Sequence, residues 1–305
     1  MEKEMARYRI GLGGWEHEAF DHSLYPQPGI ESVDKLQFYA RFFDTVEVRA
    51  TFWDDTLNGS DASRWAEAVA ENKRFLFTVK LHSSFTHRKE LRPGLARNVR
   101  SILQELDSRG RLGALLLQFP YAFTNTGAHR YHVEKLGELF SGFPLHVEFR
   151  HDSWNQPALL PFLKENTLSP VSADFPRILR YMPCITGVVG DTAYLRLHGR
   201  NEKGWLVDSY DARYDYLYNG REVRELARRL DALGDHCREI IVICNNTTAG
   251  KAVANALQLQ SALKKGKRVA IPPEALRAFP QLRDISADTT PFDSLFRDTS
   301  YRRAM

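Results

Sequence analysis

The stretch Leu145-His-Val-Glu-Phe-Arg-His-Asp-Ser-Trp-Asn-Gln-Pro-Ala-Leu-Leu-Pro-Phe-Leu-Lys-Glu-Asn-Thr-Leu-Ser-Pro-Val-Ser-Ala-Asp174 holds a β-rich run, a helical segment and a second β-rich run. The runs are Leu145 to Phe149 and Ser169 to Ala173, with the helix candidate Gln156 to Glu165 between them. Two short strands separated by a helix read as one βαβ unit of a parallel sheet. The same alternation extends in both directions. Upstream lie Tyr8 to Leu12, Thr45 to Val48, Phe75 to Lys80 and Ala114 to Gln118; downstream lie Ala193 to Leu197 and Glu239 to Cys244. Helix candidates fill the intervals at Ser32 to Phe42, Asp61 to Glu71, Leu95 to Ser108, Tyr131 to Phe140, Arg221 to Leu233 and Gly250 to Leu263. Asp61 is a suitable N-cap, and Val223, Leu226, Leu230 and Leu233 recur at helical spacing. Eight strands, each followed by a crossover, predict an α/β fold of the TIM-type (β/α)₈ barrel class. The sixth crossover, Phe175 to Gly190, carries two prolines and no helical pattern. No internal repeat or low-complexity block accompanies the pattern.

The chain has 305 residues, 43% hydrophobic and 11% aromatic, enough to bury a large core without cross-links. Cys184, Cys237 and Cys244 are odd in number and lack C-x-x-C spacing, which argues against a disulfide framework or zinc knuckle. With no apolar stretch of membrane-spanning or signal length, the expectation is a soluble, cytoplasmic protein without a membrane partner. The net charge of +4 is unevenly placed. Of 42 Lys/Arg and 38 Asp/Glu, nine and five follow Leu263, so the preceding residues carry 33 of each. The chain therefore divides into a neutral barrel, 1–263, and a basic, proline-containing extension, 264–305, either solvated or draped over the barrel. Any attraction to phosphate backbones must come from that extension or from a local patch.

Barrel enzymes place reacting groups at the carboxyl ends of the strands. Here those ends read Trp15; Glu47 and Arg49; Lys80 and His82; Gln118; Glu148, Arg150 and His151; Asp174; Arg196 and His198; Asn245 and Asn246. Side chains alternate along a strand, so Arg196 shares a face with His198, and Glu148 with His146 and Arg150. A polar mouth is predicted.

The motifs Ile10-Gly-Leu-Gly-Gly-Trp15, Phe43-Asp-Thr-Val-Glu-Val48, Phe77-Thr-Val-Lys80, Leu116-Leu-Gln-Phe-Pro120, Val147-Glu-Phe-Arg-His151, Leu195-Arg-Leu-His-Gly199 and Cys244-Asn-Asn246 with Asn255-Ala256 resemble, in order, those of the YecE-like family, also called domain of unknown function 72. The resemblance runs from about Arg9 to Leu259 and implies a TIM-type barrel with no established activity. Two places depart from the family's pattern. Glu47-Val-Arg-Ala-Thr-Phe-Trp53 stands where the family tends to read Glu-x-Asn-Ser-Thr-Phe-Tyr, and Thr247-Thr248 where it tends to place an acid.

Three chemistries suit these residues. Glu148, Asp174 and His198 are a carboxylate and imidazole set of the kind that holds a divalent metal, alternatively neutralised by Arg150 and Arg196 in a structural ion network. Glu47 and Glu148, with Lys80 or His198, are a second option as a metal-free acid–base set, although strands two and five stand apart in the ring. Anion binding is a third, at His198-Gly-Arg200 and at Asn245-Asn-Thr-Thr-Ala-Gly-Lys251, which leads into a helix. Trp15, Trp53, Trp154 and Trp205 follow strand ends, where indoles stack on sugars or bases or else anchor loops. Gly11-Leu-Gly-Gly14 lacks the third glycine of a dinucleotide loop.

The resulting expectation is an enzyme, hydrolase or isomerase/lyase, acting at the mouth on a polar or anionic small molecule or nucleic-acid component. Catalysis falls to Glu47, Lys80, Glu148, Asp174 and His198. Substrate binding falls to Trp15, Trp53, Gln118, Arg150, Arg196, Arg200, Asn245 and Asn246. Glu148, Asp174 and His198 are the set for any metal. The competing readings are a metal-dependent phosphodiesterase similar to endonuclease IV-type barrels and a non-catalytic ligand-binding or adaptor barrel.

Overall fold

A computed structural model describes residues 6–26, 31–178, 180–185 and 187–287. Among these, eight parallel strands close into a barrel in chain order: β1 Arg7–Gly13, β2 Thr45–Val48, β3 Leu76–Lys80, β4 Leu112–Gln118, β5 Leu145–Glu148, β6 Leu168–Asp174, β7 Thr192–Leu197 and β8 Glu239–Cys244. The ring closes where β1 pairs with β8, Ile10 opposite Val242. Both faces of each strand are covered, so the strands are nearly continuously apolar. Their outward residues, such as Val46, Phe77, Leu115, Val147, Leu195 and Val242, pack under the helices, while Ala114, Leu116, Val171, Tyr194, Ile241 and Ile243 fill the lumen.

Seven intervals carry helices close to those expected, and local chemistry sets their starts. The second begins at Gly59, because Asn58, rather than Asp61, is the N-cap and Asp61, the third helical residue, is its partner in a capping box. The helix Gly220–Gly234 starts on the same device, Asn219 with Glu222, and buries Val223, Leu226, Ala227 and Leu230. Pro93 occupies the first turn of Pro93–Ser108, where its missing N–H has no partner to lose. Between β6 and β7 the described residues form no helix, in line with the prolines there.

The first part of the extension is folded. A short helix Pro273–Ala278 and a 3₁₀ turn Pro280–Ile285 lie against the barrel, burying Ile271, Ala275 and Leu282, and Val269 bridges to Ser286. The remainder of the basic extension, residues 288–305, lies outside the described residues, as do residues 1–5. Among the described residues no helix is long and apolar enough to cross a membrane.

Candidate functional site

Alternation on β2, β3, β5 and β7 turns Glu47, Thr78, Glu148, Arg196 and His198 toward the lumen. Arg196 is the centre of this group. Its Nε donates to Glu47 Oε2 at 2.8 Å, Nη2 to Glu47 Oε1 at 2.7 Å and Nη1 to Glu148 Oε2 at 2.5 Å. Tyr194, two residues earlier on the same face, donates its hydroxyl to Glu47 Oε2 at 2.8 Å and lies 2.9 Å from Thr78 Oγ1. All five side chains are buried. The separation expected of Glu47 and Glu148 is thus bridged, because a lumen only wide enough to be filled by side chains lets one long guanidinium span it. Arg196 is a pin between two carboxylates. Burial pushes both carboxyls up, yet Arg196 with Lys80 for Glu47, and Arg196 with His198 and Arg150 for Glu148, outweigh it and hold them below their ordinary values. Both stay ionised, which makes Glu148 a weak base.

His198 stands beside this pin, its Nε2 3.5 Å from Glu148 Oε2 and its Nδ1 3.1 Å from Asn245 Nδ2. Its ring stacks on Phe175 at 4.7 Å. Burial lowers its pKa to about 4 against the pull of Glu148, so the imidazole is neutral at pH 7. Arg150 donates from Nε to Glu148 Oε1 at 3.2 Å and lies over Phe175 and Trp205. Gln118 donates to the Phe119 carbonyl.

Lys80 ends β3 on the lumen face, two residues after Thr78. Thr51 donates its hydroxyl to the Lys80 carbonyl at 2.7 Å, folding the turn Ala50–Phe52 across the strand end. That turn sets the Phe52 ring 3.8 Å from Lys80 Nζ. Among the described residues Nζ has no hydrogen-bond acceptor. Burial first, then Arg196, Arg49 and Arg150 against Glu47, drive its pKa well below the ordinary lysine range.

Beyond the ends of β1 and β2 is a cavity of about 320 Å³ lined by Gly13, Gly14, Trp15, His17, Arg49, Trp53 and Tyr210, among others. Arg49 donates to the Tyr210 hydroxyl at 2.7 Å and to the Gly13 carbonyl at 3.3 Å. Gly13 leaves room for Asn245: a Cβ there would fall 2.3 Å from Asn245 Oδ1, a buried acceptor without a partner among the described residues, and would push that side chain aside. Gly14 turns the chain with φ +90°. Trp53 is 61% exposed at the rim, whereas Trp15 is buried edge-on against Trp65 and donates to Ser32.

Three expected site residues lie elsewhere. On β6, Val171 faces the lumen, so Asp174 faces the helices, where Arg200 binds it through Nε and Nη2 at 2.8 Å each and Tyr218 donates at 2.9 Å. Arg200 also binds Glu222 at 3.2 Å. The set Glu148, Asp174 and His198 therefore does not assemble. Glu148 is already bonded to two guanidinium groups, and no cluster of three His, Cys, Asp or Glu side chains suited to a metal occurs among the described residues. Asn246 is fully buried and donates to the Tyr216 carbonyl and to Asn255, bracing β8 against the helix Lys251–Leu263. At the start of that helix Lys251 pairs with Asp215, and Gly250 packs on Ser23 and Ala19. Tyr194, Phe52, Phe175 and Tyr210 were not anticipated; for Tyr194 the signal was its spacing of two from Arg196.

His146 lies deeper on the same face as Glu148, fully buried with no partner for Nδ1 among the described residues. Burial lowers its pKa to about 4, below the ordinary 6.5. Protons then bind the unfolded chain preferentially between these values, so stability is level above pH 6.5 and falls as pH drops toward 4. Each such histidine contributes about 1.4 kcal/mol per pH unit in that window. His146→Leu is expected to remove that much slope from the acid limb of a denaturation-versus-pH curve; an unchanged slope refutes the assignment.

A family model described as "Protein of unknown function DUF72" matches residues 9–278. The UPF0759 protein YunF of Bacillus subtilis (strain 168) is 29% identical over 273 residues, covering 82% of this chain and 92% of that protein. Among solved structures, the DUF72 family protein TM1631 of Thermotoga maritima MSB8 is 28% identical with a TM-score of 0.73, covering 84% of this chain and 99% of that one. EF0366 of Enterococcus faecalis V583, likewise a DUF72 family protein, is 27% identical with a TM-score of 0.73, covering 85% and 96%.

Proposed function

This chain belongs to the DUF72 family, whose function is unknown, and we propose that it is an enzyme acting on a polar, anionic substrate at the carboxyl ends of the barrel strands. The observation that carries this reading is an imbalance of charge. Toward the mouth stand Lys80, Arg49, Arg150 and Arg196, against the carboxylates Glu47 and Glu148 and, at the outer cavity beside Arg49, Glu16. Arg196 satisfies Glu47 and Glu148 at once, and Lys80 Nζ is left without an acceptor among the described residues. Excess cations gathered at the strand ends raise a positive potential that draws anions. An amine with a strongly perturbed pKa in that place favours catalysis over simple binding. Glu148 and His198 are supports of the site, and Arg49, Arg150, Gln118 and Asn245 are the groups that face a substrate.

The exposed Trp53, beside Arg49 and Tyr210, favours a second reading in which the substrate includes a planar ring, as a nucleic-acid component does.

Titration with oxalate, an unreactive dianion, followed by tryptophan fluorescence, tests the anionic site. Affinity is expected to fall with salt and to fall about 10-fold in Arg49→Ala, the loss of one charge-assisted contact. Salt-independent binding, or binding unchanged by Arg49→Ala and Lys80→Met together, refutes the reading. Nucleoside monophosphates binding more tightly than oxalate, with the gain lost in Trp53→Ala, would select the second reading.

A further inference from the structure

We propose that Lys80 is the reactive amine of a carbonyl-binding site, condensing with the aldehyde or keto carbon of a small oxo acid whose carboxylate lies toward Arg49 and Arg150. This inference rests on the anionic mouth described above and names its substrate class.

Geometry restricts what Lys80 can do. Its amine lies over the Phe52 ring at 3.8 Å, on the lumen face, with no acceptor among the described residues. The charged and titratable groups around it are Glu47 on β2, Arg49 after β2, His87 after β3, Arg150 after β5 and Arg196 on β7. Glu47 is the one carboxylate among them and already accepts from Arg196 and Tyr194. An ammonium at this position is stabilised by the Phe52 ring but faces three guanidinium groups, of which Arg196 and Arg150 are paired with Glu47 and Glu148, whereas a neutral amine escapes that repulsion. Removal of water and proximity of other cations are the two recognised ways of making a lysine nucleophilic at neutral pH. The same guanidinium groups that discharge the amine attract a carboxylate, so one field prepares the nucleophile and gathers its partner.

The step is balanced without a further reagent. The Nζ lone pair attacks the carbonyl carbon, the π pair moves to oxygen, and protonation of that oxygen gives a carbinolamine. Loss of the hydroxyl as water, with the nitrogen proton, leaves the imine. No oxidation or reduction occurs.

Full-length protein incubated with glyoxylate or pyruvate and cyanoborohydride, which reduces an imine to a stable secondary amine, is digested and mapped. Lys80 is expected to acquire the reduced adduct at least ~10-fold faster than any other lysine, at a rate that levels off below the ordinary lysine pKa. Acetone, lacking the carboxylate, is expected to label it at least ~10-fold more slowly. Fast labelling is expected to vanish in Lys80→Arg, which keeps a cation but cannot form the imine. Labelling of Lys80 no faster than surface lysines, while oxalate still binds, overturns the imine and leaves the anionic site standing. Failure of oxalate to bind overturns both, and equal labelling by acetone overturns the oxo-acid class.

Discussion

Arg196→Met is expected to destabilise the barrel by about 3–5 kcal/mol at pH 7, the range for removing one partner from a buried ion cluster. The reason is the pair of carboxylates left behind. Glu47 and Glu148 are fully buried, and Arg196 contributes three hydrogen bonds to them. In the wild type their depressed pKa values add stability above the ordinary carboxylate range that is lost as pH falls through the folded values. In the variant burial acts with less opposition and the pKa values rise, so the penalty shrinks as pH falls toward 5. Adding Glu47→Gln and Glu148→Gln to Arg196→Met is expected to recover much of the loss, since neutral partners leave no buried charge. Denaturant unfolding of the single and triple variants at pH 7 and pH 5 measures all three effects. A single variant within ~0.5 kcal/mol of wild type would mean that Arg196 is not the pin of the mouth.

Lys80→Met should behave oppositely, with stability within ~1 kcal/mol of wild type and turnover reduced at least ~10²-fold. Its amine makes no hydrogen bond among the described residues, so the fold loses only the contact with Phe52. Denaturant unfolding reads the stability, and screening wild type and variant in parallel against oxo acids reads the turnover. Wild-type turnover by the variant on any substrate so found removes Lys80 from the reaction.

The eight strands and most helices could be read from the chain because local rules fix them. Short β-rich runs, capping residues such as Asn219 and Glu222, and helical spacing at Val223, Leu226 and Leu230 act over a few residues. The positions of polar groups at the strand ends followed for the same reason, since chain order becomes ring order when a parallel sheet closes. Family resemblance over residues 9–278 agreed with that reading.

The face on which each polar residue points was less secure. Asp174 and Glu148 both end strands, but a single step of alternation on β6 sends Asp174 under the helices to Arg200 and Tyr218. Asn245 and Asn246 are adjacent in sequence and part in the same way, one beside His198 and the other against Asn255.

By itself the sequence determined a neutral-bodied (β/α)₈ barrel with its polar groups gathered at one mouth, because period, caps and chain order are local properties. Tertiary structure decided which of those groups answer one another. Arg196 reaches across the lumen to both carboxylates, and Lys80 is left over Phe52 with no acceptor among the described residues. Such pairing depends on distances between strands remote in sequence, which exist only once the ring has closed.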